Sequence, residues 1–284
     1  MTMKPRHRLA VDAALAAGGS VTLEGNAAHY LGHVVRLGAG DAVALFNRTD
    51  GEWYARIAQV NKRSLVLAVE MQLRAPVTPL GLTVCFAPIK GGRMETIIEK
   101  ATELGASVLQ PVITARTIVD KVNIDRATAI AREAAEQCER IDWPEIREPV
   151  KLLTLLGSWP DNVPLMYGDE SGASASVTSA LLSFGARVAE GEPERSERGG
   201  AVAGATSHPA AQPPTKNWAV LAGPEGGFTP EEFAALSRVK AAQGVGLGPR
   251  ILRADTAVIT LCVATLAAWG DWAARPRFVA GGDH

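Results

Sequence analysis

The chain has 284 residues, 47% of them hydrophobic, and a formal net charge of −1. That length supports one large domain or two smaller ones, and the charge excludes a polycation that holds nucleic acid by overall attraction. No run approaches the roughly 18 uninterrupted apolar residues of a membrane span, and three widely spaced cysteines, Cys85, Cys138 and Cys262, read as buried thiols of a reducing compartment.

In chain order, MTMKPRHRLAVDAALAAGG opens with basic residues and an alanine-rich run. Asp12 interrupts that run, so it does not read as a signal peptide. NAAHYLGHVVRL (26–37) reads as a helix. His29 and His33 would share one of its faces, but no further ligand stands nearby, so no metal site is expected. DAVALF (41–46), GEWYARIAQV (51–60) and SLVLAVEM (64–71) read as strands, with Trp53, Ala55 and Ile57 on one face. NRTDG and VNKRS supply the turns. Residues 1–74 therefore predict a small antiparallel barrel or sandwich. They carry nine Lys/Arg against six Asp/Glu, and the remainder twenty against twenty-four. A local nucleic-acid surface is permitted but not required.

RAPVTPLG (74–81), with two prolines, marks a domain boundary. Beyond it the rhythm becomes strand then helix. LTVCFAPI is an apolar strand, and GGRMETIIEKATELG places Met94, Ile97, Ile98, Ala101 and Leu104 on one helical stripe, with Gly105 at the stop. SVLQPVI (strand), IDRATAIAREAAEQCER (helix), VPLMYGD (strand) and SASVTSALLSF (helix) follow. Residues 185–216 are rich in Gly, Ala, Pro, Ser and charge and read as a disordered surface insertion. WAVLAG (strand), PEEFAALSRVKAAQ (helix), VGLG (short strand) and ADTAVITLCVATLAAWGDW (helix) complete an α/β pattern with a largely parallel sheet over residues 80–275. The last helix is apolar nearly all round, which suits a core helix or a subunit interface.

Two loops at strand ends carry the chemistry. In LAGPEGGFTPEEF (221–233), Thr229 is placed to cap the following helix, Pro230 fits its first position and Glu232 completes a capping box. The fold alone therefore accounts for the helix start. It does not account for Gly223, Pro224, Glu225, Gly226 and Gly227, where bare backbone can approach a ligand. A tight turn is the competing explanation. Neither phosphate-loop signature is present, and Glu225 would repel phosphate. A ligand with an adenine, a ribose and a positive centre suits this loop better, a description that fits S-adenosylmethionine. The second loop supplies Leu247, Gly248, Ile251 and Leu252, a slot for the adenine, together with Arg250 and Arg253.

LAGPEGGFTPEEF and LGPRILRADTA together closely resemble the last two cofactor motifs of the SPOUT methyltransferases. Specifically they are similar to the bacterial enzymes that methylate N3 of a uridine in 16S ribosomal RNA of the small subunit. KGGRMETIIEKATELGASVLQP, EAAEQCERIDWPEI and HYLGHVVRLGAGDAVALF agree in order and spacing, so the resemblance covers nearly the whole chain. It implies an N-terminal PUA-like barrel for RNA and a SPOUT domain with a C-terminal trefoil knot. It also implies a homodimer, with S-adenosylmethionine as cofactor; a cytoplasmic setting is expected beside the reduced cysteines. The long insertion, and Asp255 where glutamate is common, depart from the pattern.

The resulting cofactor set is Leu221, Ala222, Gly223, Glu225, Gly226, Leu247, Gly248, Ile251, Leu252 and Thr256. Removing the uracil N3 proton puts charge on O2 and O4, which Arg250, Arg253 and Arg140 would stabilise. Glu225 is the candidate base. Structural alternatives stand beside each role: Arg140 as a helix C-terminal cap, Arg253 as a partner of Glu103 or Asp255, Glu225 as a brace of its own loop. Arg6, His7, Arg8, Arg36, Lys62 and Arg63 would position RNA through its phosphates, or simply be solvated. The rival readings are a nucleotide-dependent enzyme on an ordinary doubly wound sheet, an RNA-binding protein of this fold without methyl transfer, and a methyltransferase acting on a different RNA.

Overall fold

The computed structural model describes residues 5–189, 217–272 and 274. The chain divides into two compact units. The first comprises Met1–Pro79 and Asp125–Pro144, the second Leu80–Ile124 and Glu145–His284.

In the first unit, strands β1 (Arg8–Ala10), β2 (Ser20–Glu24), β3 (Ala42–Asn47), β4 (Gly51–Val60) and β5 (Ser64–Arg74) form one sheet in the order β1-β3-β4-β5-β2. Three of the four pairings are antiparallel, as alternation predicts; β1 joins β3 in parallel. Leu31, Val43, Leu45, Ala55, Ile57, Leu65 and Leu67 form its core. The expected helix at 26–37 is shorter: α1 (Gly25–His29) runs into a π-helical turn, Tyr30–Val34. Helices α2 (Arg93–Glu103) and α3 (Ile124–Gln137) come next in the chain. The sequence rhythm places α3 in the second domain, whereas nearly all of it clusters with the first unit. Its buried stripe is Ala127, Ala131, Ala134 and Ala135, and Arg8 donates to the carbonyls of Ala135 and Glu136 at 3.1 and 2.8 Å. Small side chains let the helix come that close.

In the second unit β6 (Leu82–Phe86), β7 (Val108–Ile113), the two-residue β8 (Glu145–Ile146) and β9 (Val150–Lys151), β10 (Leu165–Gly168), β11 (Trp218–Ala222) and β12 (Ala242–Val245) make a sheet in the order β12-β10-β11-β6-β7-β8, with β9 also beside β7. Every pairing is parallel. Helices α2, α4 (Leu152–Gly157), α5 (Val177–Ala189), α6 (Pro230–Arg238) and α7 (Ala254–Trp269) belong to this unit. Fully buried Leu82, Val84, Leu165, Met166 and Val220 explain the near-continuous apolar runs of these strands. Residues 185–189 of the expected insertion are helical, continuing α5, and 190–216 lie outside the described residues. Among the described residues no helix is long and apolar enough to cross a membrane, and no group of three or more His, Cys, Asp or Glu could hold a metal ion.

Candidate functional site

Strands β12, β10 and β11 are neighbours and parallel, so their carboxyl ends open on the same edge of the sheet. The loops that follow them meet around a cavity of about 360 Å³, within the usual range for a small-molecule site. Sequence reasoning found two of these loops. The third, Gly168–Gly172 after β10, begins at the end of the expected strand VPLMYGD, and its Asp169 and Glu170 line the cavity. The loop after β11 contributes Ala222, Gly223, Pro224, Glu225, Gly227 and Phe228, and the loop after β12 contributes Gly246 through Arg253. Ala254, Ala257 and Phe233 complete the lining.

The β11 loop is held at both ends. Thr229 caps α6: Glu232 N–H donates to Thr229 Oγ1 at 3.3 Å, and Thr229 N–H donates to Glu232 Oε2 at 2.8 Å. The other carboxylate oxygen of Glu232, Oε1, accepts from Ala115 N–H at 2.7 Å, tying the loop after β7 to the same point. Arg116 then donates to the Gly226 carbonyl at 2.6 Å. Phe228 and Phe233 pack edge to face, 5.5 Å between ring centroids. Gly227 has φ +67, and a side chain there would collide with the Glu170 carboxylate. Gly248 has φ +101 with nothing within 4 Å of an added Cβ. Gly248 exposes backbone that any other residue would cover or strain, whereas Gly227 is buried, its N–H bonded to the Pro224 carbonyl at 2.9 Å.

Of the cofactor set, Ala222, Gly223, Glu225, Leu247, Gly248, Ile251 and Leu252 line the cavity, Ile251 at its rim with 91% exposure. Leu221 does not: it is fully buried in the cluster with Tyr167 and Phe228, because a strand's last inward residue belongs to the core. Gly226 lies just outside, facing Arg116, and Thr256 sits on an exposed face of α7. Arg250 and Arg253 both line the cavity and are exposed. Neither makes an ion pair or side-chain hydrogen bond among the described residues. The suggested partners of Arg253 are not its partners: Glu103 pairs with Lys100 at 2.8 Å, and Asp255 Oδ1 is buried without a partner. Glu225 pairs with Arg93 at the start of α2, 3.3 Å away, a brace that sequence alone did not show. Arg140 does not join the others; it belongs to the first unit, where its guanidinium holds Asp142 through two contacts of 3.0 Å.

Asp169 is committed to its own loop. Its Oδ1 accepts from Ser171 N–H at 2.9 Å and its Oδ2 from Ser174 Oγ at 2.5 Å. Burial pushes this carboxyl up, but the Ser174 and Ser171 hydrogen bonds outweigh it and hold the group below its ordinary value.

Among the expected RNA contacts, Arg6, Arg36, Lys62 and Arg63 are exposed and His7 is half-buried. Arg8 is a correction. Its side chain is 6% exposed, pairs with Glu52 at 2.5 Å, donates to three backbone carbonyls and lies over the Phe46 ring, 4.5 Å from its centroid. Four of its five N–H donors are engaged inside the unit, and its burial keeps the guanidinium from a phosphate.

Comparison with known proteins gives two family matches, an RNA methyltransferase domain over residues 76–266 and an RNA methyltransferase PUA domain over residues 23–70. The chain is 30% identical over 255 residues to ribosomal RNA small subunit methyltransferase E of Rickettsia conorii, covering 89% of this chain and 92% of that one. It is 33% identical over 256 residues to the protein of the same name from Synechocystis, covering 88% and 74%. Among solved structures, a Legionella pneumophila protein described as a methyltransferase in complex with SAM superposes with a TM-score of 0.74 at 27% identity, covering 95% of this chain and all of that one.

Proposed function

The chain belongs to the RNA methyltransferase family, and we infer that it methylates small-subunit ribosomal RNA with S-adenosylmethionine as methyl donor. The observation that carries this is the cavity at the ends of β12, β10 and β11, with two unpaired arginines among the residues that line it. The residues fit the cofactor. Leu247 and Leu252 with Ala222 and Ala257 offer an apolar slot for an adenine, and the backbone at Gly223 and Gly248 offers donors and acceptors in place of side chains. When bound, S-adenosylmethionine supplies an electrophilic methyl group on a sulfonium.

Our finer reading assigns the acceptor as N3 of a uridine in 16S ribosomal RNA. As the N3 proton leaves, Arg250 and Arg253 meet the charge that develops on O2 and O4. They are suited to this because no carboxylate among the described residues neutralises them. Glu225, already paired with Arg93, serves its loop better than it would serve as a base. Arg140, held by Asp142, takes a structural role. The further parts of the proposal are a PUA-like barrel over residues 1–74 that carries the RNA, a SPOUT domain over 80–275 with a trefoil knot, a homodimer and a cytoplasmic setting. They are supported by the PUA match and by the family's motifs in both glycine loops.

The test is transfer of labelled methyl groups to purified small subunits and to naked 16S RNA, with the product nucleoside identified by mass spectrometry. N3-methyluridine is the expected product. Label in another nucleoside or another RNA replaces the acceptor, and cofactor binding without any transfer leaves an RNA-binding protein.

A further inference from the structure

Three carboxylates line the cavity, and two are already compensated. Asp169 accepts from Ser171 and Ser174, and Glu225 pairs with Arg93 at 3.3 Å. The third, Glu170, has no hydrogen bond or ion pair among the described residues, although it sits in the middle one of the three loops. Its position is set from outside its own segment. The carboxylate lies against the Cα of Gly227, which makes room for it with φ +67 and no side chain. A glycine on one loop thus accommodates a carboxylate from another, and the serine bonds of Asp169 fix the backbone beside it.

Glu170 is exposed at the cavity and carries no internal counter-charge among the described residues, so a cationic group of a ligand seated between Leu247, Leu252 and Phe228 gains from contact with it. We propose that Glu170 is a cofactor-binding residue that pairs with a positive group of S-adenosylmethionine, either the sulfonium or the α-ammonium. This rests on reading the cavity as the cofactor site. If the sulfonium is the partner, the loss of charge on methyl transfer weakens the contact and favours exchange of spent for fresh cofactor.

The test is calorimetry on the full chain and its Glu170→Gln variant, the fold checked by circular dichroism. Three ligands are titrated: S-adenosylmethionine, S-adenosylhomocysteine, which keeps the ammonium but has no sulfonium, and 5′-methylthioadenosine, which has neither. The variant should bind S-adenosylmethionine about tenfold more weakly, as loss of one charge-assisted contact implies, and bind 5′-methylthioadenosine as the wild type does. A larger loss for S-adenosylmethionine than for S-adenosylhomocysteine assigns the sulfonium; equal losses assign the ammonium. Unchanged affinity for S-adenosylmethionine, or equal weakening of all three ligands, overturns the proposal. Failure of the wild type itself to bind S-adenosylmethionine overturns the reading of the cavity instead, and the proposal with it.

Discussion

Arg8 and Arg253 are both arginines in segments that look basic, and their surroundings give them opposite work. Arg8 reaches Glu52 across 44 residues of chain and the Glu136 carbonyl across 128. Glu52, 2% exposed, also holds Arg74 at 2.6 Å. Removing it by Glu52→Ala would leave two guanidinium groups without their counter-charge and should destabilise the first unit by about 3–5 kcal/mol, read by urea unfolding. Burial pushes the Glu52 carboxyl up, yet the hydrogen bonds and charges of Arg74 and Arg8 win and hold it below its ordinary value of 4.5. A depressed folded-state value means that the stabilisation is fully present above about pH 4.5 and is lost as pH falls through the folded value. Thermal melting between pH 6 and pH 3 should show that loss in the wild type and a flatter profile in Glu52→Gln. Arg253, by contrast, has no such partner among the described residues and lines the cavity. Arg253→Ala should therefore leave cofactor affinity nearly unchanged and lower single-turnover methyl transfer about a hundred- to a thousandfold; a rate near wild type removes it from the mechanism. Nothing local in the sequence separates these two arginines, because what decides their roles is contact with residues far along the chain.

At the scale of elements, what was legible was what is local. The capping box at Thr229 spans four residues, and Thr229, Pro230 and Glu232 take the positions expected of them. The second bond of Glu232, to Ala115 over 117 residues, was not visible. It makes Glu232 the joint between the β7 and β11 loops. Glu232→Ala should cost about 1–2 kcal/mol, because the Ala115 N–H, on an exposed residue, loses its acceptor along with the cap. Spacing also identified the glycine-rich turn but not which glycine matters. Gly226 stands in the expected cofactor set, yet a Cβ there meets only the aliphatic part of Arg116, at 3.3 Å. Gly227 carries the positive φ and the contact with Glu170. Gly227→Val should thus weaken S-adenosylmethionine binding at least about tenfold, combining backbone strain with displacement of Glu170. Gly226→Val should weaken it less. Calorimetry on the two folded variants decides, and the reverse order would return the approach point to Gly226. The third loop escaped notice for a related reason: DESGAS carries no repeated glycine signature, and only the strand order brings it between the other two.

For the whole molecule, the −1 net charge means that RNA affinity must come from a local cluster. The parallel sheet was legible because its buried strands read as apolar runs. The composition of the first unit was not, since α3 leaves the α/β rhythm to pack on the other unit and only tertiary contact reveals it. The same contacts revise the RNA surface. With Arg8 consumed by Glu52 and α3, the exposed cations left from the expected set are Arg6, Arg36, Lys62 and Arg63. Each phosphate contact releases counterions on binding and adds roughly 0.7–0.9 to the slope of log affinity against log salt. Replacing all four by glutamine should lower RNA affinity and flatten that slope by as many such increments as there are contacts made. S-adenosylmethionine affinity should not move, because these side chains lie in the first unit and the cavity is built from the second. Arg8→Ala separates charge from structure: it should lower the unfolding midpoint, and in the fraction that remains folded the salt slope should match the wild type. The measurements are RNA titrations at several salt concentrations beside cofactor calorimetry. A fourfold variant with wild-type affinity and slope would place RNA binding on the second unit, and a flattened slope in folded Arg8→Ala would return that arginine to the RNA surface.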